Sequence, residues 1–270
     1  MDQNFGKPLQ SVVSITESGS LLALLSNYRM TNRYYSETPI SGTVAKLIGG
    51  EAHHLLHVMR ARPGQQLVVF DGHGGEYKAE VTACGRREVE LCLGPRCDVE
   101  RELSFQLTVA VALPKGDRQR WLIEKSVELG VTRLILLESS RSVLVKQHSD
   151  KLGSYVISAS KQCGRNRLME ILPPTDWSSL IGELKLGDGG ATARRGLLAH
   201  PGGLSCSKFA LDALADTWIA IGPEGGFTED EVEAGAAAGW QTVDLGQTIL
   251  RVETAAIVLA GAIVLGAKEC

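Results

Sequence analysis

From residue 104 onward the chain alternates apolar runs of strand length with amphipathic stretches of helix length. That alternation constrains the fold more tightly than any other feature. Residues 105–113 (FQLTVAVAL) are almost continuously apolar. Residues 117–129 carry Trp121, Leu122, Lys125 and Leu129 on one side of a predicted helix, and Gly130 stops it. Residues 132–137 form a second apolar run. Two strands separated by a helix cannot pair as a hairpin, so the crossover makes them parallel, and the sheet is covered by helices. The same rhythm predicts a helix over 152–163, strands over 196–200 and 217–221, a helix over 228–238, a strand over 242–245 and a final helix over 252–265. The fold class is therefore α/β with a parallel sheet, over residues 99–270.

Before the boundary at residues 95–103 the pattern is different. Residues 66–71 (QLVVFD) run into the turn Gly72-His73-Gly74-Gly75, and strands over 76–83 and 88–93 flank Gly85-Arg86-Arg87. Short strands punctuated by glycine turns predict a small β-barrel over 30–98, with one helix over 50–59. Residues 1–29 share neither pattern and are expected to be a poorly structured extension, with a mis-assigned start or an organelle-targeting remnant as alternative readings. The loop over 186–195 is expected to be loose.

Composition sets limits on function. The net charge of -3 excludes a global basic field, so any nucleic-acid surface is a local patch. The longest apolar run, 255–267, is too short for a bilayer and reads as a buried helix. The six cysteines form no CxxC pair and no zinc pattern, which points to reduced thiols and a cytoplasmic setting. His53 and His57 have the spacing of a metal pair, but the motif lacks its glutamate, and a half-exposed helix face is the better reading. No metal site is expected.

Two turns carry the chemistry. Ile221-Gly222-Pro223-Glu224-Gly225-Gly226-Phe227 leads from a strand straight into a helix whose start is fixed by the capping box Thr228–Glu231. Its glycines let backbone approach a ligand at the carboxyl end of a parallel strand, where α/β sheets bind. The turn is neither a phosphate loop nor a dinucleotide fingerprint. The second turn is Leu245-Gly246-Gln247-Thr248-Ile249-Leu250-Arg251, followed by Val252-Glu253-Thr254-Ala255 and a helix apolar enough to be buried on all sides. Arg251 at its head should be matched by Glu224, by Glu253 or by a ligand phosphate. The middle of the chain is locally basic, through Lys115, Arg118, Arg141, Lys161, Arg165 and Arg167.

These segments together resemble the RsmE family of 16S ribosomal RNA uridine-N3 methyltransferases, within the SPOUT superfamily. The matching blocks are HHLLHVMRARPGQQLVVFDGHGGEY, LPKGDRQRWLIEKSVELGV, Ser140-Arg141, KQCGR, IGPEGGFTEDE and LGQTILRVETA, in family order. Lys161 departs from the family pattern. The resemblance implies a PUA-like RNA-binding barrel, a SPOUT α/β domain with a trefoil knot at its carboxyl end, and a homodimer packed through the last helix. It implies S-adenosyl-L-methionine as methyl donor, held by Leu198, His200, Ile221, Gly222, Gly225, Gly226, Leu245, Gly246, Ile249 and Leu250. It makes small-subunit ribosomal RNA the partner, with Arg33, Arg60, Arg62, Lys115, Arg118, Arg141 and Arg165 expected against it. Arg251 is expected to stabilise a uracil anion, and Glu224 is a weaker candidate base. A SPOUT enzyme acting on a ribose 2′-oxygen or on transfer RNA, and an RNA-binding assembly factor without catalysis, are the rival readings.

Overall fold

The computed structural model of the protein describes residues 32–99, 101–142, 149–183, 194–205 and 216–267. The expectations for residues 1–29 and for most of the loop over 186–195 lie outside the described residues. Two sheets organise the chain. The first has the order β1-β3-β4-β5-β2, built from β1 (Arg33–Tyr35), β2 (Val44–Leu47), β3 (Gln66–Phe70), β4 (Glu76–Cys84) and β5 (Val89–Cys97). Only β1 and β3 run parallel; the other three ladders are antiparallel. Alternate residues of β4 and β5 point inward, among them Tyr77, Ala79, Val81, Val89, Leu91 and Leu93, and pack with Leu55 and Ala52 of the adjoining helix. The period of two is what a sheet with one wet face requires.

That helix, α1 (Gly49–His53), continues into a π-helical turn over His54–Val58, closed by the Met59 N–H donating to the His54 carbonyl at 3.0 Å. Arg60, just beyond, has φ +52°, a left-handed conformation that is uncommon for a side chain of this size. Strands β1 and β2 have too few residues to register as apolar runs, and sequence reading did not find them.

The second sheet is fully parallel, with the order β11-β9-β10-β6-β7-β8. Its strands are β6 (Leu107–Val111), β7 (Arg133–Glu138), β8 (Glu170–Asp176), β9 (Arg194–Ser205), β10 (Asp216–Ile221) and β11 (Gln241–Asp244). Its helices are α2 (Asp117–Glu128), α3 (Ser149–Cys163), α4 (Trp177–Glu183), α5 (Glu229–Ala237) and α6 (Val252–Gly266). Strand residues alternate between two cores. Leu107, Val109, Val111, Leu134, Leu136, Ile219 and Ile221 face a core that contains α2, α3 and α6. Ala110, Ile135, Leu137, Leu198, Trp218 and Ala220 face the other, which contains Trp177, Leu180, Phe227 and Trp240. Burial on both faces explains why these strands read as continuous apolar runs.

Several local expectations need correction. On α2 the buried residues are Leu122, Ile123, Ser126 and Val127, while Trp121 is exposed. Strand β8 carries Pro173 and Pro174, which hid it from sequence reading; at the sheet edge the missing N–H groups are tolerated. On α6, Val258 and Leu265 are exposed, so this helix is not covered on all sides within one chain. Among the described residues no helix is long and apolar enough to cross a membrane.

The segment at the end of α3 ties the two sheets together. Lys161 donates to both Glu51 carboxylate oxygens at 2.8 Å and stands over the Tyr34 ring, which accounts for a lysine at this position. Arg165 is 4% exposed; it pairs with Glu102 and donates to the Val127 and Val131 carbonyls. Arg33 pairs with Glu76, donates to Asn166 and lies over Phe70.

Candidate active site

An irregular stretch in the middle of β9 and the loops at the carboxyl ends of β10 and β11 enclose one cleft of about 410 Å³, a size suited to a small organic ligand. From β9 come Ala199, His200 and Pro201; from β10, residues 221–227; from β11, residues 243–250, with Val252 and Ala255 of α6 behind them. Ile221, Val243, Leu245, Leu250 and Ala255 supply apolar walls, while the glycine turns present bare backbone. Such a cleft can hold a flat heterocycle between apolar side chains and read its edge with main-chain groups.

The local folding of each wall is traceable. At the end of β10, the Gly226 N–H donates to the Pro223 carbonyl at 2.8 Å, and Gly226 takes φ +68°. Phe227 then turns under the loop and packs 4.9 Å from Trp177. Gly222 makes this possible, because a Cβ there would stand 2.9 Å from the Phe227 ring. Helix α5 starts at once with the capping box between Thr228 and Glu231. Glu231 also accepts the Ser140 N–H at 2.8 Å, and Arg141 donates to the Gly225 carbonyl at 2.7 Å. The loop after β7 is thereby fastened to the glycine turn, and Arg141 becomes part of the cleft wall.

The β9 wall is made by an irregularity. Strand β11 pairs with β9 at Thr242↔Leu198, and then its next residue, Val243, pairs with Leu204. Residues 199–203 are looped out between these pairs, and Ala199, His200 and Pro201 among them line the cleft. Gly203 lies against β11 so closely that a Cβ would be 2.6 Å from the Thr242 carbonyl carbon. Asp244 joins the β9 and β11 walls by accepting the N–H groups of Gly202 and Gly246, and these hydrogen bonds hold its carboxyl below the usual range. Sequence reading passed over Asp244; an aspartate two residues before a glycine is a signal for this turn.

Of the residues expected to bind a cofactor, His200, Ile221, Gly222, Gly225, Gly226, Leu245, Gly246, Ile249 and Leu250 all line the cleft. Leu198 does not: it is fully buried in the core on the other side of the sheet, and its neighbour Ala199 takes the lining position. Ile249 is 97% exposed at the rim. Glu224 lines the cleft, but its charge partner is Arg118, at 3.4 Å, rather than Arg251. Arg251 is exposed and its side chain makes no hydrogen bond or ion pair among the described residues, so the expected pairing with Glu224 or Glu253 is not formed.

The residues expected against RNA divide into two groups. Arg60, Arg62 and Lys115 are exposed, Arg141 lines the cleft, and Arg118 pairs with Glu224 of its lining. Arg33 and Arg165 are spent inside the molecule on Glu76 and Glu102 and offer no free guanidinium face to a phosphate. His53 and His57 stack at 4.7 Å on an exposed face, and among the described residues no group of three ligating side chains is placed to hold a metal.

Comparison with known proteins agrees with this geometry. The family model of the RNA methyltransferase domain matches residues 101–264, and that of the RNA methyltransferase PUA domain matches residues 47–91. The chain is 32% identical over 249 residues to the ribosomal RNA small subunit methyltransferase E of Mycobacterium bovis, covering 85% of this chain and 89% of the relative. It is 28% identical to the protein of the same name from Bacillus subtilis, covering 87% and 93%. Among solved structures, a ribosomal RNA small subunit methyltransferase E from Neisseria gonorrhoeae bound to S-adenosyl methionine superposes with a TM-score of 0.75 at 28% identity, over 86% of this chain and 96% of that one. A Legionella pneumophila methyltransferase with bound cofactor SAM gives 0.77 at 28% identity, over 86% and 96%.

Proposed function

The chain belongs to the RNA methyltransferase family that includes the ribosomal RNA small subunit methyltransferase E proteins, and on that footing we propose that it transfers a methyl group from S-adenosylmethionine to N3 of a uridine in small-subunit ribosomal RNA. The observation that carries this reading is the shared cleft formed by the middle of β9 and the loops after β10 and β11. Its apolar walls suit an adenine, and the backbone N–H and C=O groups of the glycine turns suit its polar edge. When bound, S-adenosylmethionine supplies an electrophilic methyl group.

The remaining chemistry falls to the protein. Uracil N3 carries a proton at neutral pH, and its lone pair is delocalised into the ring. The protein has to bring N3 to the mouth of the cleft, favour loss of that proton and exclude water. Positioning accounts for much of the rate in such transfers, and a cation beside the base favours the anionic form. A base in a paired or stacked RNA context flips out to reach such a cleft. Exposed Arg60 and Arg62, between the π-helical turn and β3, and exposed Lys115, ahead of α2, are proposed to neutralise phosphates.

The carboxyl-terminal knot and a homodimer belong to the same reading. The dimer is supported by the exposed Val258 and Leu265 on an otherwise buried apolar helix. The test is mass mapping of methylated nucleotides in small-subunit RNA from a deletion strain. A uridine-N3 methyl group that disappears on deletion and returns on complementation supports the assignment. A lost methyl group at a ribose 2′-oxygen, or in transfer RNA, replaces it with another RNA methyltransferase activity.

A further inference from the structure

A charged cluster adjoins the cleft at Glu224, and the reading above leaves it without a role. Arg118 sits in the first turn of α2, after the loop that leaves β6. One of its terminal nitrogens, Nη1, lies 3.4 Å from Glu224 Oε1 and 3.8 Å from Glu253 Oε2. Three segments thus meet at one guanidinium: the first turn of α2, the glycine turn after β10 and the first turn of α6. The two carboxylates differ greatly in environment. The Glu224 side chain is 64% exposed, and an ion pair of that kind does little to restrain an arginine. The Glu253 side chain is 7% exposed, and its Oε2 is buried without a hydrogen bond. A buried carboxylate oxygen left in that state is costly, which argues for a function.

Arg118 itself is only half engaged. Its Nη2 and Nε make no hydrogen bond among the described residues, and its side chain is 40% exposed. Its Nη1 faces two carboxylates, one of which lines the cleft, and its remaining donors are uncommitted among the described residues. Neither neighbouring arginine offers this. Arg141 is committed to the Gly225 carbonyl, and Arg251 has no anchor among the described residues.

We infer that Arg118, held by the buried carboxylate of Glu253, is the cation that donates to a carbonyl oxygen of the target uracil and stabilises its N3 anion. This rests on the uridine-N3 reading. The N3 proton leaves to water. The N3 electron pair forms the bond to the methyl carbon of S-adenosylmethionine, and the carbon–sulfur pair stays on sulfur as the neutral thioether. Arg118 keeps its own protons throughout. Fixed donors aimed at developing charge typically contribute 10²–10³ in rate. Glu253 acts through Arg118 and is a positioning residue.

The test compares Arg118→Ala, Arg118→Lys and Glu253→Gln with wild type on small-subunit substrate. Calorimetry with S-adenosylmethionine and RNA-binding assays run alongside the kinetics. The expected result is a loss of kcat of about 100-fold for Arg118→Ala, with cofactor and RNA affinities within about threefold of wild type. Arg118→Lys keeps the charge without the fork and should recover only part of the rate. Glu253→Gln should lower kcat while leaving KM in place. RNA carrying 5-fluorouridine at the target has a more acidic N3 and should rescue Arg118→Ala by a larger factor than it accelerates wild type. A raised KM with intact kcat assigns Arg118 to phosphate binding and overturns the inference, as does a fluorinated substrate that helps both proteins equally. Wild-type kcat in Glu253→Gln overturns the anchoring role. If wild type itself methylates a position other than uridine N3, the functional reading has failed before the variants are compared.

Discussion

The Asp244 carboxylate accepts the backbone N–H of Gly202 at 3.0 Å across the cleft rim. Its other oxygen accepts the Gly246 N–H at 2.8 Å, so one side chain ties the β9 wall to the β11 wall. An asparagine cannot serve both donors, because one of its terminal atoms is itself a donor. Asp244→Asn is expected to weaken S-adenosylmethionine binding about tenfold, read by calorimetry, with the thermal midpoint nearly unchanged. The pH dependence has a definite sign. The Gly246 and Gly202 N–H groups lower this carboxyl's pKa, so the clamp is present above the unfolded pKa and is lost as pH falls through the folded value. Affinity should not fall with a midpoint in the ordinary aspartate range near about pH 4; a midpoint there in wild type, missing from the asparagine variant, would show that Asp244 lacks this stabilisation.

Gly203 and Gly202 are adjacent and should respond differently. A Cβ on Gly203 meets the backbone of Thr242 and Val243 at 2.6–2.7 Å, and neither group can rotate away. Gly203→Ala is expected to cost about 1–3 kcal/mol in urea unfolding and to loosen cofactor binding. Gly202 has φ +82° but nothing within 4 Å of a built Cβ, so Gly202→Ala should cost only the backbone term of about 1–2 kcal/mol. Equal and small effects at both positions would mean that β9 and β11 are less tightly apposed than described.

Glu231 closes the capping box of α5 and holds the Ser140 N–H. Glu231→Ala removes both, at an expected cost of about 1–3 kcal/mol. The loss should extend to the cleft, because the loop carrying Arg141 would be released from the glycine turn. Hydrogen exchange at residues 139–142 and 224–227 should quicken together; exchange confined to α5 would show that the loop is held by Arg141 alone.

Arg165 is expected to behave as a core residue. Arg165→Ala removes the guanidinium that faces Glu102 and strips two buried carbonyls of a donor, an expected loss of about 3–5 kcal/mol. Lys161→Ala breaks a more exposed pair and should cost no more than about 1 kcal/mol. Urea unfolding separates the two cases, and comparable values would contradict the difference in burial.

Exposed Arg60, Arg62 and Lys115 should be visible in the salt dependence of RNA binding. Each charge removed should reduce the slope of log K against log salt by about 0.7–0.9 if it contacts a phosphate. An unchanged slope for any one of them removes that residue from the RNA surface.

What could be read in the sequence was whatever a local pattern dictates. The strands β6, β7 and β10 announce themselves because burial on both faces makes them apolar throughout, and the Thr228–Glu231 box marks the start of α5 within four residues. The GPEGG and LGQTIL turns combine glycine with a strand end, and nine of the ten residues expected to hold the cofactor do line the cleft. The failures are of another kind. Arg33, Arg118 and Arg165 are the same residue type in similar stretches, and only the tertiary placement of Glu76, Glu253 and Glu102 distinguishes a core cation from one at the site. Leu198 was misplaced because period-two alternation does not say which face of a doubly covered strand meets the ligand. The long form of β9 was missed because its loop-out at 199–203 breaks the pattern in the middle of the strand.

The pairing of Val243 and Asp244 with Leu204 and Ser205 has a consequence for how the protein comes into being during synthesis. A nascent chain that has emerged as far as α5 already contains the glycine turn and five of the six strands of the second sheet, yet it has neither the Asp244 clamp nor the Leu245–Leu250 wall. On the reading proposed above, the methyl donor can be held only once β11 and the Leu245–Leu250 segment have followed, and a messenger truncated before them would yield a product that lacks this wall and also α6, whose Val252, Ala256, Leu259 and Ile263 belong to the main core.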